Sequence, residues 1–71
     1  MTNTLKLKAA IAESGLNQEQ IAKMLHLSIG TFNYKLNNRV EFKASEIKKL
    51  MELLHLNSDK VMLIFFADAV E

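Results

Sequence analysis

Cysteine and proline are both absent from these 71 residues, and glycine occurs only at Gly15 and Gly30. Without cysteine there is neither a disulfide framework nor a thiolate metal site, so the core must hold the fold alone, and the composition suits a reducing cytoplasm. Without proline, helix boundaries must come from capping residues and from shifts in apolar period. Long hydrophobic runs are missing too. None approaches the roughly 20 residues of a membrane span, and MTNTLKLK lacks the apolar stretch and cleavage site of a secretory leader. The expectation is one soluble domain over residues 1–71, in the cytoplasm, with no membrane partner.

A strong charge of one sign is lacking as well: the net charge is +1, far from the basic balance that advertises nucleic-acid binding by itself. The distribution says more. Residues 1–49 carry eight basic against four acidic side chains, and residues 50–71 carry one against four. A basic body with an acidic tail suits an anionic partner on one side and something else on the other.

Apolar periodicity and caps predict an all-α chain, a small bundle of about five short helices. Leu5, Ala9 and Ala12, with Leu7 and Ile11 beside them, predict a helix from about Thr4 to Ser14, stopped by Gly15. Asn17 with Gln20 forms a capping-box pattern ahead of Ile21, Ala22 and Leu25, and that helix runs to about Leu25. Ser28 caps a third helix, Ile29 to Asn37, with Phe32 and Leu36 inward. Arg39 to Lys43 reads as a loop. Ile47, Leu50, Met51 and Leu54 mark a fourth helix, and Asn57-Ser58-Asp59 caps a fifth with Val61, Met62, Phe65 and Phe66. The tail LIFFADAV is also compatible with a short strand, because so brief an apolar run does not settle its period.

The strongest local signal is NQEQIAKMLHLSIGTFNYKLNN, two short helices joined by a tight turn at His26-Leu27. Ala22 is small enough for the helices to cross closely, Ile21, Leu25 and Leu27 fill the crossing, and Ser28 caps the helix that follows. In Gln18, Ile21, Ala22, Leu25, Leu27, Ser28 and Phe32 the stretch resembles the helix-turn-helix of the phage Cro and repressor family. KLNNR after the third helix and the Phe-Phe near the end extend the likeness over about nine-tenths of the chain. Two positions depart from the pattern: His26 stands where the family usually has glycine, and Ile29-Gly30 stand where many members carry Gln, Arg or Ser.

The resemblance implies a lambda-repressor-like DNA-binding domain acting as a transcriptional regulator in a phage or prophage switch, in the cytoplasm of a bacterial host. Its partner would be a double-stranded DNA operator, bound as a homodimer. The residues it puts at base edges are Ser28, Ile29, Thr31, Asn33 and Tyr34; Asn33 suits adenine, and Ile29 or the Thr31 methyl suits a thymine methyl. Gln18, Lys35, Asn38, Arg39 and Lys43 fall where the family clamps phosphates. Met62, Phe65, Phe66 and Val70 exceed what one small core can absorb and are candidates for a dimer or partner contact. A second reading is an antirepressor that binds a cognate repressor protein through the helix-turn-helix face or the apolar tail.

Catalysis has nothing to build on. There is no cysteine nucleophile and no glycine-rich phosphate loop, and His26 and His55 sit near helix ends rather than in a ligand spacing. The expectation is no enzymatic activity, no metal, no cofactor and no small-molecule substrate.

Overall fold

The computed structural model describes residues 1–69. Five α-helices and a closing 3-10 turn make up the architecture: α1 (Thr4–Ser14), α2 (Gln18–Met24), α3 (Ile29–Leu36), α4 (Ala44–Leu53), α5 (Ser58–Phe65), then Ala67–Ala69. No strand occurs among the described residues. The strand alternative for LIFFADAV is thereby overturned through Ala69, because Asn57 starts a helix that continues through Phe65. Among the described residues, no helix is long and apolar enough to cross a membrane.

Side-chain caps start four of the helices. Asn3 accepts from the Lys6 amide, Asn17 from Gln20, Ser28 from Thr31 and Asn57 from Lys60, satisfying amides that a helix start leaves without partners. At α2 the box is complete, since the Gln20 side chain also accepts from the Asn17 amide at 2.9 Å. The stops are equally uniform. Each described residue with positive φ ends a helix: Gly15 at 77°, His26 at 58°, Asn38 at 66° and His55 at 53°. After α2, α3 and α4 the chain closes with a pair of reversed amide bonds. His26 and Leu27 donate to Lys23 and Ala22, Asn38 and Arg39 to Lys35 and Tyr34, and His55 and Leu56 to Glu52 and Met51. These are Schellman closures, with histidine or asparagine where glycine is cheapest.

One continuous core holds the helices together, with Leu7, Ile21, Phe32, Leu36 and Leu50 completely shielded from solvent. The inward residues differ from the expected stripes in places. In α1, Leu7 and Ile11 point inward, whereas Leu5, Ala9 and Ala12 are exposed. Met51 and Met62 lie on outer faces of α4 and α5, and Leu50, Leu54, Ile64 and Phe65 are the residues of this region buried in the core instead. Phe42, in the segment between α3 and α4, is also buried. Its ring meets Phe32 at 6.0 Å and Phe65 at 5.6 Å, both edge to face, an arrangement that adds about 0.5–1.5 kcal/mol per pair to area burial.

Polar ties then fix where α3 lies. The Asn38 side chain exchanges two 2.7 Å bonds with the Thr2 backbone, accepting from its amide and donating to its carbonyl. The Thr4 hydroxyl donates to the Leu36 carbonyl at 2.7 Å. Asn3 donates its amide to the Ile64 carbonyl, so one N-terminal segment links the ends of α3 and α5.

Candidate nucleic-acid interface

The α2–turn–α3 unit builds the surface. Ala22, 2% exposed, leaves room for α3 to approach, and the closure at His26 turns the chain so that Leu27 packs against the core and Ser28 starts the next helix. Phe32, Lys35 and Leu36 anchor the inner face of α3. The 3.6-residue period then puts Gly30, Asn33, Tyr34 and Asn37 on the outer face, with Ile29 at its edge. Ile29 is 42% and Tyr34 53% exposed. Neither the fold nor a tight turn demands glycine at position 30: its φ is not positive, and an added Cβ would meet nothing within 4 Å.

Gln18 and Asn33 are half-buried and, with Ile29, border one open concavity between the start of α2 and α3. A base-facing and a phosphate-facing candidate thus share one surface. Ser28 and Thr31 are exposed, but the Ser28 hydroxyl is engaged, accepting from the Thr31 amide and donating to the Thr31 hydroxyl at 2.9 Å. Two neighbours were missed. Glu19 lines the same concavity and places a negative charge there, while Lys23 and Ile29 border an adjoining one. Their signal was the fixed crossing of α2 and α3, which places exposed α2 residues beside the first turn of α3.

Lys35 needs correction. Its ammonium is buried and donates to both carboxylate oxygens of Glu46, at 2.6 and 2.8 Å, so it is unavailable to a phosphate. The reason is its position three residues after Phe32, on the inward face. Glu46 also accepts from the Lys43 amide at 2.8 Å. Burial pushes the Glu46 carboxyl up, but the Lys35 and Lys43 hydrogen bonds and the charges of both lysines outweigh it, leaving the carboxyl below its ordinary value.

Asn38 is likewise corrected, since its amide is committed to Thr2. Arg39 and Lys43 remain exposed. The Arg39 guanidinium lies 5.6 Å from the centre of the Tyr34 ring, a cation–π contact that holds it beside the outer face of α3. Of the apolar partner candidates, Met62 and Phe66 are each more than 40% exposed, but Phe65 is buried against Phe42 and belongs to the core. Val70 lies outside the described residues.

No curated protein and no solved structure matches the chain. A family model does, from residue 3 to residue 68, and this span holds all five helices and the candidate interface. On that match the chain belongs to the DUF739 family, described as a protein of unknown function.

Proposed function

We infer that the protein is a sequence-specific DNA-binding transcriptional regulator of the Cro and repressor type, with α3 as its reading helix. The observation that carries this reading is the juxtaposition of Gln18 with Ile29 and Asn33 around one open concavity. A reading helix in the major groove needs its first residues free and the start of the preceding helix beside the DNA backbone. Arg39 and Lys43, exposed beyond the end of α3, supply cations on the other flank, and Lys23 adds one near Ile29. The resemblance of Gln18, Ala22, Leu25, Ser28 and Phe32 to the Cro and repressor pattern supports the same reading, with an operator as partner and a phage or prophage switch as setting.

The test is fluorescence anisotropy of a labelled random-sequence duplex at two salt concentrations. The expected result is a Kd of about 10⁻⁴ to 10⁻⁶ M that weakens steeply as salt rises, because phosphate contacts release condensed counterions. Absence of binding at low salt overturns the reading. One observation favours a second: the charge of Lys35 is neutralised inside the protein, and Glu19 stands beside exposed Ile29. This would suit an antirepressor whose α3 face docks on a cognate repressor protein, and such a contact would be nearly indifferent to salt.

A further inference from the structure

We propose that the α3 face reads A·T base pairs from the major groove, through Asn33 and Ile29, and that α3 itself carries no free arginine or lysine with which to read guanine there. The inference rests on the DNA-binding reading above and specifies its ligand. In the major groove guanine is recognised chiefly by a bidentate arginine or lysine, adenine by a bidentate asparagine or glutamine, and thymine by apolar contact with its methyl group. The charged residue of α3 is Lys35, and it is turned away from this face into a buried pair with Glu46. Two residues of α3 match the A·T edge instead. Asn33 supplies one amide able to match the adenine edge. Ile29, 42% exposed, supplies an apolar side chain one turn earlier and bordering the same concavity.

Gly30 completes the arrangement. It lies between these two residues in sequence and adds no side chain to the outer face, and an alanine Cβ there would meet nothing in the protein. The space it leaves open is therefore available to the groove. Lys23 stands on α2 and Arg39 beyond the end of α3, positions from which a helix-turn-helix meets phosphates rather than base edges. The Arg39 guanidinium lies 5.6 Å from the centre of the Tyr34 ring.

Four duplexes of equal length test the proposal: alternating d(AT), d(GC), d(AU) and d(IC), each titrated by anisotropy at one low salt concentration. Uracil removes the major-groove methyl of thymine. Inosine–cytosine keeps the major-groove edge of G·C but presents the minor-groove edge of A·T. The expected order is d(AT) tighter than d(GC) by about fivefold or more, d(AU) weaker than d(AT) by about threefold for one lost methyl contact, and d(IC) equal to d(GC). Asn33→Ala should abolish the d(AT) over d(GC) preference, and Ile29→Ala the d(AT) over d(AU) preference, with salt-dependent binding retained in both. Equal affinity for d(AT) and d(GC), or d(IC) binding like d(AT), overturns this inference while leaving DNA binding intact. Failure to bind any duplex overturns the parent reading instead.

Discussion

Lys35 Nζ donates to both carboxylate oxygens of Glu46 from a position almost closed to solvent, and the same carboxylate accepts from the Lys43 amide. The pair thereby joins the last turn of α3 to the first turn of α4, and it holds the intervening segment so that Phe42 can enter the core between Phe32 and Phe65. Removing one member leaves the other charged and shut off from water. Lys35→Met should cost about 3–5 kcal/mol, and Lys35→Met with Glu46→Leu should recover most of that loss. Urea denaturation of the two variants checks this. A single variant within about 1 kcal/mol of the parent would show that the pair is solvated.

The same carboxyl gives the fold an acid limit. Its value in the folded protein lies below the ordinary 4.5, so the unfolded chain binds the proton more readily. The stabilisation is complete above the ordinary value and is lost as pH falls through the folded one. Urea midpoints measured from about pH 7 down to about pH 3 should fall more steeply for the parent than for Glu46→Gln, which has no proton to take up there. Parallel profiles would remove Glu46 from the explanation of acid sensitivity.

Much of this was legible in advance because it is local. Asn17, Ser28 and Asn57 announce helix starts and Gly15 a stop through bonds to residues three or four positions away. Gln18, Ile29 and Asn33 came together because the crossing of α2 and α3 is dictated by Ile21, Ala22 and Leu25 within the same short stretch. The misreadings at the candidate site are non-local. Lys35 meets a partner 11 residues away across a loop, and Asn38 meets Thr2 at a separation of 36. Phe42 lies in a segment with no period to mark it as core. Phe65 and Phe66 are adjacent, and which of them turns inward depended on where Phe42 lies.

Histidine at a left-handed helix stop carries backbone strain that glycine would not. His26 and His55 occupy such positions at φ 58° and 53°, in the matching stretches LHLS and LHLN. Relief of strain exceeds the added freedom of the unfolded chain, so His26→Gly and His55→Gly should each raise stability by about 0.5–1 kcal/mol. Val at either site, β-branched and excluded from this region, should lower it by more. Thermal unfolding of the four variants decides the matter. No gain from either glycine would mean that the imidazoles contribute contacts offsetting their strain.

Gly30 separates stability from function. A glycine in the first turn of α3 weakens the helix, and nothing in the protein occupies the space of an added Cβ. Gly30→Ala should therefore stabilise the fold by about 0.5 kcal/mol. If the groove occupies that space, the same methyl should weaken DNA binding severalfold. A variant that is more stable and binds d(AT) duplex unchanged would remove the outer face of α3 from close contact with the bases.

The salt dependence of binding distinguishes cations that meet phosphates from those that do not. Each phosphate contact contributes about 0.9 to the slope of log K against log salt concentration on duplex DNA. Arg39 lies beside the Tyr34 ring and Lys43 is exposed at the start of α4, so Arg39→Ala and Lys43→Ala should each reduce the slope by about one, with little dependence on sequence. Lys35 supplies the contrast, because its charge is balanced by Glu46 inside the fold. The Lys35→Met, Glu46→Leu double variant removes one cation and one anion without altering the outer face. It should leave the slope where it was, even though Lys35 lies in the sequence between two residues expected to contact DNA. A drop of about one in that variant would mean that the pair opens on binding and that Lys35 swings out to a phosphate, with Glu46 giving up its partner to the DNA.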